Sequence, residues 1–196
     1  MKGHNERCNR SRLQLFGLTE TIDLQAFFDE KRSKNAIPYV DSAHGSTDFY
    51  ERCRFLYDVN GVQHIEIVRT ATRQIRTLQM VHADDFDYTY KYAERSRFAT
   101  LSENSAADDI LIVKNGFLTD TTYANIVFRD KSGHWFTPST PLLAGTKRAQ
   151  LLAQNKIKAL ELRPSDVPNF VEARLINATT DLENSSKILI INILSV

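Results

Sequence analysis

Cysteine is scarce in this sequence of 196 residues, which contains only Cys8 and Cys53. Two cysteines cannot form a disulfide framework, and no C-x-x-C pair is present, so a disulfide-rich secreted domain and a zinc site of that type are excluded. The sequence has no excess of one charge, since its formal net charge is +1. It also has no apolar run of about 18 residues that could span a bilayer. The sequence therefore predicts a cytoplasmic protein with no membrane and no nucleic acid among its partners.

Glycine and proline are also few, at seven and five residues, so the places where they occur carry information about turns. Asn60-Gly61 separates two stretches in which apolar and polar residues alternate, and this pattern predicts an antiparallel hairpin. The segments "KNG" at 114–116 and "DKSG" at 130–133 predict two further turns between strands. The end of the chain, "KILIINILSV", has a strand-like composition.

Helix signals precede and separate these strands. Gly17 predicts the end of a first helix, and Asp23 can cap a second helix that carries an apolar stripe. Gly145 precedes a third helix in "TKRAQLLAQ", the stretch "YKYAERSRFATLSENS" has a helical character, and residues 33–48 indicate a loop.

Strands grouped in hairpins, with helices interspersed, predict an α+β chain and not a doubly wound parallel sheet. The expected architecture is two subdomains with antiparallel sheets, a smaller one over 1–85 and a larger one over 86–196. Their boundary is expected in "HADDFDYTY".

Two side chains in the second half are candidates for chemistry. Lys91 lies between Tyr90 and Tyr92, and a lysine that aromatic rings partly desolvate has a lowered pKa and can form a Schiff base; the alternative is a surface lysine that extends past the rings into water. Asp120, in "TDTTYANIVF", either lies in a sheet-lined cavity with neighbouring hydroxyls or stands in solvent at the edge of a hairpin.

A candidate anion site accompanies them. Gly145, Thr146 and Lys147 begin a helix, where unpaired N–H groups and the positive end of the dipole attract anions. Arg7 is a plausible second cation for the same phosphate, because a guanidinium matches phosphate oxygens; otherwise it belongs to a solvated helix face.

Lys91, "GFLTDTTYANIVF", "WFTPSTPLLAGTKR" and "LINA" follow one another in an order that resembles class IV aminotransferases. These are fold-type IV pyridoxal-phosphate enzymes and include branched-chain and D-amino-acid aminotransferases and aminodeoxychorismate lyase. The likeness extends over nearly the whole chain after His4.

The resemblance implies a role for each candidate. Lys91 would form the Schiff base with pyridoxal 5'-phosphate, and Asp120 would stand where the family usually has a glutamate that faces the pyridine nitrogen. Arg7 would grip the phosphate. Further implied contacts come from residues that order the strand around the acid, bind phosphate, or approach the substrate carboxylate: Thr121, Asn125, Gly145, Thr146, Lys147, Asn177 and Thr179. Arg54 resembles an arginine on the substrate side, although a plain edge-strand arginine is an equal alternative.

The resemblance also implies partners and departures. A small-molecule amino substrate would bind in a cleft between the subdomains of a homodimer. The strands that family members usually carry before the phosphate arginine are expected to be missing, and a partner chain would cover the sheet edge that this leaves. Asp120 is one methylene shorter than the usual glutamate.

Several reactions remain open. The residues of these motifs favour an aminodeoxychorismate lyase-like reaction, which releases pyruvate and leaves 4-aminobenzoate. A branched-chain or D-amino-acid aminotransferase is the alternative, and a catalytically degenerate homologue is the second alternative.

Overall fold

A computed structural model describes residues 1–195 and separates into two compact units, Met1–Arg73 and Gln74–Val196. The boundary expected between residues 85 and 86 therefore lies inside the second unit. The reason is a strand at Leu78–His82, which pairs with a strand later in the chain and so belongs to the second sheet.

The first unit begins with two helices whose ends are set by single residues. Helix α1 (Lys2–Phe16) ends at Gly17, whose φ of 70° is left-handed and favours glycine. Helix α2 (Leu24–Ser33) begins after Asp23, whose carboxylate accepts hydrogen bonds from the backbone N–H groups of the next turn. Both signals predicted from the sequence are confirmed.

A three-stranded sheet completes this unit, with strands β1 (Tyr39–Asp41), β2 (Phe49–Asp58) and β3 (Gly61–Ala71) in the order β1-β3-β2. Strands β2 and β3 form the predicted antiparallel hairpin. Strand β1 pairs in parallel with β3 and lies in the stretch predicted as a loop. It has three exposed residues and hence no alternation that could have indicated a strand.

Within residues 74–195, the second unit contains nine strands in one sheet. They are β4 (Leu78–His82), β5 (Asp109–Lys114), β6 (Phe117–Thr121), β7 (Asn125–Arg129), β8 (Trp135–Pro138), β9 (Lys158–Leu160), β10 (Glu172–Ile176), β11 (Ile188–Leu189) and β12 (Ile193–Leu194). Their order is β11-β10-β7-β6-β5-β4-β12, with β8 paired to β7 and β9 paired to β8. Two α-helices, α3 (Ser96–Ser102) and α4 (Thr146–Ala153), and two 3₁₀ turns, Pro164–Asn169 and Ile190–Asn192, connect these strands.

The sheets are mixed, whereas the sequence predicted antiparallel pairing. Strand β4 runs parallel to β5, because the connection between them contains α3 and returns the chain to the end of the sheet at which β4 began. The hairpin turns at Asn115-Gly116 and at 130–133 are confirmed. The strand-like end of the chain forms two short strands separated by a 3₁₀ turn. The α+β class is confirmed.

The core of the second unit surrounds β5. Ile110, Leu111, Ile112 and Val113 are all completely buried, because both faces and both edges of this strand are covered. Burial of each side chain contributes about 1.5–3 kcal/mol. Strand β6 lies directly beside this core, so polar residues placed on it are removed from water.

A charged network stabilises the far end of the sheet. Glu172 on β10 is 2% exposed and forms ion pairs with Arg129 (3.1 Å), Arg174 (3.2 Å) and Lys187 (3.2 Å). Burial opposes ionisation of Glu172, but hydrogen bonds from Arg129 and Lys187 hold its pKa below the ordinary value. Across residues 1–195, no helix has the length and apolar character of a membrane span, and no group of side chains is arranged to hold a metal ion.

Candidate active site

Asp120 lies on β6 and is 5% exposed. Its Oδ1 accepts a hydrogen bond from Asn125 Nδ2 (2.7 Å), and its Oδ2 accepts one from the backbone N–H of Leu143 (2.9 Å). Burial raises the pKa of the Asp120 carboxyl to about 6, although these hydrogen bonds and the nearby Arg148 act in the opposite direction. Asp120 is therefore a buried carboxyl group and not a solvated one at a hairpin edge.

The local fold explains why polar residues follow one another here. Asp120 and Asn125 are paired directly across the tight connection between β6 and β7. Thr121 closes this connection, because its backbone N–H (3.0 Å) and its hydroxyl (3.3 Å) both donate to the carbonyl of Ala124. Thr121 therefore orders the turn that follows the acid, and Asn125 contacts the acid directly.

Asn125 also connects the acid to the beginning of α4. Its Nδ2 donates to the carbonyl of Leu143 (3.0 Å) as well as to Asp120. A Cβ atom added to Gly145 would lie 2.0 Å from Asn125 Oδ1, so only glycine leaves this asparagine in place. The carboxyl group and the helix start consequently lie on either side of one amide side chain.

The beginning of α4 gathers further candidates. Thr146 and Lys147 are its first two residues, and no side chain caps the helix. Lys147 forms an ion pair with Asp181, in the segment that follows β10. In the same segment Asn177 Oδ1 accepts hydrogen bonds from the backbone N–H and the hydroxyl of Thr179, both at 2.9 Å. The backbone N–H groups that open α4 are suited to an anion.

Lys91 lies outside any helix or strand and is exposed. The helix predicted around it begins only at Ser96, whose N–H donates to the side chain of Glu94. Lys91 is the central residue of a three-residue turn, in which the N–H of Tyr92 donates to the carbonyl of Tyr90 (2.9 Å). The desolvation expected from the two tyrosines is therefore not seen, and the side chain reaches the surface of the unit.

The two remaining candidates belong to the first unit. Arg7 lies on α1 and is half-buried. Arg54 lies on β2, an edge strand, and forms a 2.5 Å ion pair with Glu66, the residue paired with it across the sheet. This contact gives Arg54 a role within its own sheet.

Three side chains near the site have no motif that singles them out in the sequence. Arg148 acts electrostatically on Asp120 and donates to the carbonyl of Pro138 (2.8 Å). Tyr88 and Arg95 contact each other beside the Lys91 turn, with Arg95 Nη1 donating to the Tyr88 hydroxyl (3.0 Å). Their only signal in the sequence is proximity, since Arg148 follows Lys147 and the other two flank Lys91.

Comparisons with known proteins identify the family of this chain. The family model of amino-transferase class IV matches residues 71–186. An "Uncharacterized protein" of Haemophilus influenzae is 40% identical over 132 residues, which is 67% of this chain and 69% of that protein.

Solved structures share the fold. A crystal structure of a "putative 4-amino-4-deoxychorismate lyase" from Haemophilus somnus 129PT is 28% identical, with a TM-score of 0.77, and the match covers 92% of this chain and 89% of that one. A hypothetical aminotransferase from Mycobacterium tuberculosis in a PLP-bound form is 15% identical, with a TM-score of 0.66 and coverage of 96% and 74%. At that identity the second likeness concerns the fold alone.

The family model covers more than half of the chain, and the Haemophilus influenzae relative matches two thirds of it. The residues matched by the family model include Lys91, Asp120 and the start of α4. The chain belongs to the class IV aminotransferase family of pyridoxal-phosphate-dependent aminotransferases and lyases.

Proposed function

We propose that this enzyme binds pyridoxal 5'-phosphate covalently through Lys91 and acts on a small amino-acid-like substrate. The observation that carries the proposal is the buried Asp120 carboxyl, which lies one side chain away from the start of α4. An acid and an anion site so close together match a ligand that has a basic ring nitrogen at one end and a phosphate at the other.

The residues present fit this cofactor. A carboxyl group with a pKa of about 6 is poorly stabilised as an anion by the protein alone, so a protonated ring nitrogen beside Asp120 would favour its ionised form. Gly145 keeps the approach to the helix start free of a side chain that would displace Asn125. The N–H groups of Thr146 and Lys147 would hold the phosphate. Arg7 stays a proposed phosphate ligand on the resemblance alone.

Each group then has a defined task. The cofactor, when bound, accepts the electrons left when a bond at the substrate Cα breaks. Asp120 holds a proton at the ring nitrogen, and Asn125 fixes the direction of the carboxylate. Lys91 would be the general base that takes the proton from the substrate Cα with its Nζ.

Lys91 suits this task better than two other lysines of the second unit. Lys114 Nζ donates to the carbonyl of Phe86 (2.7 Å), and Lys147 is paired with Asp181. These contacts engage the amines of Lys114 and Lys147. Lys91 lies at an exposed turn, and its place in the order of the motifs is the one that the resemblance assigns to the Schiff-base lysine.

We favour a lyase-like reaction on aminodeoxychorismate, supported by the motifs around Asp120 and by the 28% identity to the Haemophilus somnus protein. Transfer of the amino group, as in branched-chain or D-amino-acid aminotransferases, is the second candidate. A degenerate homologue is disfavoured, because a chain that had lost catalysis would have no reason to keep the lysine, the acid and the open helix start together.

A cytoplasmic homodimer remains part of the proposal, and the exposed Leu13, Leu15 and Phe16 of α1 are side chains that a second copy would cover.

Borohydride reduction followed by peptide mapping tests the proposal. Protein incubated with pyridoxal 5'-phosphate should carry the reduced label on the peptide that contains Lys91, and Lys91→Ala should remove it while Lys114→Ala leaves it. Label on another lysine, or no label, would contradict the assignment.

Protein loaded with pyridoxal 5'-phosphate and not treated with borohydride then distinguishes the reactions. Release of pyruvate from aminodeoxychorismate supports the lyase, and a spectral change with an amino acid that reverses with a keto acid supports the aminotransferase. Light scattering that shows a monomer at working concentration would contradict the homodimer.

A further inference from the structure

Tyr88 is a buried residue whose hydroxyl connects both sides of the Lys91 turn. Its ring packs against Phe98 with the centroids 4.7 Å apart. Its hydroxyl donates to the carbonyl of Tyr92 (3.1 Å) and accepts from Arg95 Nη1 (3.0 Å). The backbone is therefore fixed immediately after Lys91 by a group that does not itself reach the surface.

Arg95 extends this connection to the strand pair that contains the acid. Its Nη2 donates to the carbonyl of Thr122, two residues after Asp120. The guanidinium lies over the ring of Phe98, 4.7 Å from its centroid, so its plane is held by packing as well as by hydrogen bonds. A planar guanidinium with several donors can bridge two acceptors in this way, whereas a lysine ammonium on a flexible stem fixes no such geometry.

The far side of the same connection is anchored in the core. The hydroxyl of Thr122 donates to Asp109 Oδ1 (2.7 Å), and Asp109 is a 5% exposed residue at the beginning of β5. An uninterrupted series of hydrogen bonds thus runs from Tyr92 through Tyr88, Arg95 and Thr122 to β5.

We infer that Tyr88 and Arg95 are positioning residues, which hold the Lys91 turn against the connection that follows Asp120. The inference rests on the proposed function, because it gives these two side chains the task of presenting the lysine amine at a fixed distance from the acid. Neither side chain takes part in proton transfer. A reaction between two groups depends steeply on their alignment, and a misplacement of about 1 Å can lower a rate about 100-fold.

The test uses Tyr88→Phe, which keeps the buried ring and removes only the hydroxyl, and Arg95→Gln, which removes the bridge. Tyr90→Phe is the matched control, because Tyr90 also adjoins Lys91 and its hydroxyl makes no hydrogen bond within residues 1–195. The first readout is the rate at which pyridoxal 5'-phosphate becomes borohydride-trappable on Lys91. We expect both test variants to slow this rate about ten-fold or more and the control to match the wild type.

A second readout separates positioning from damage to the site. In a Lys91→Ala background, noncovalent affinity for pyridoxal 5'-phosphate should change less than about two-fold on adding Tyr88→Phe, because the acid and helix start are untouched. Equal losses of affinity and of trapping rate would overturn the inference and indicate a merely structural role. An unchanged trapping rate in both variants would overturn it as well.

A third readout needs no cofactor. Amide hydrogen exchange of the peptide around 89–95 should be about ten-fold faster in Tyr88→Phe and Arg95→Gln than in the wild type or in Tyr90→Phe. If the wild type takes no label on Lys91, the proposed function fails while this exchange still decides whether the two residues hold the turn. If the wild type is labelled and the exchange is unchanged, the inference fails and the proposed function stands.

Discussion

Replacement of Asp120 by asparagine should change how stability depends on pH. The carboxyl has a pKa of about 6 in the folded protein against 3.8 in the unfolded chain, so the folded state retains a proton that the unfolded state has lost between these values. Stability then falls as pH rises through this window, because the folded state binds more protons. Above the pKa of the folded state, the ionised carboxyl lowers the free energy of unfolding by a constant amount.

The size of this effect follows from the same two values. A difference of roughly 2 pKa units corresponds to about 3 kcal/mol, and most of it is expressed between about pH 4 and about pH 7. Asp120→Asn also loses one of two hydrogen bonds, because its amide presents a donor to Asn125 Nδ2 or to the N–H of Leu143. That loss costs about 1–3 kcal/mol and does not vary with pH.

Urea unfolding monitored by the fluorescence of Trp135, the single tryptophan of the chain, measures both parts. The free energy of unfolding of the wild type minus that of Asp120→Asn should fall by about 2 to 3 kcal/mol from about pH 4 to about pH 7. Taking the difference removes the contributions of other titrating groups. A difference that stays constant over this range would refute the raised pKa and with it the desolvated environment of the acid.

Three further changes test other contacts. Gly145→Ala should destabilise the second unit by about 1–3 kcal/mol, because the new Cβ displaces Asn125, and in urea unfolding the penalty should largely vanish in an Asn125→Ala background. Glu172→Gln should lower the free energy of unfolding by about 1–3 kcal/mol near neutral pH, since three partly solvated cations lose a charged partner. Because the pKa of Glu172 is lowered in the folded protein, this loss should disappear in acid. A loss that persists in acid would contradict the ion pairs. Arg7→Ala should weaken pyridoxal 5'-phosphate binding about ten-fold in a spectral titration, whereas Arg10→Ala on the same helix should not.

Features with a local cause could be predicted from the sequence. The end of α1 at Gly17 and the start of α2 at Asp23 depend on a single residue and its nearest neighbours, and the Asn60-Gly61 turn depends on two. Strand β1 could not be predicted, because three exposed residues become a strand only through pairing with β3. The boundary between the units was misplaced for a similar reason, since β4 belongs with β5, which follows α3 in the chain.

The candidate site also has features that the sequence could predict and features that it could not. The polar residues around Asp120 indicated a special strand, but the sequence left a solvated position open, and only the sheet partners and Leu143 remove the carboxyl from water. The aromatic neighbours of Lys91 suggested a desolvated lysine, whereas in the structure Lys91 is exposed. Links such as that from Arg95 to Thr122 join segments 27 residues apart and leave no periodic signal.

Asp120 lies on a strand inside the sheet, whereas Lys91 lies at an exposed turn. The backbone around the two groups therefore opens at different frequencies. The acid belongs to β6, beside the buried core residues of β5, where a strand is released only when much of the sheet opens. The lysine lies at an exposed turn, which opens by local fluctuation and closes again without unfolding the sheet. The acid is therefore in place for as long as the unit is folded, whereas the closed fraction of the Lys91 turn sets how often both groups are ready together.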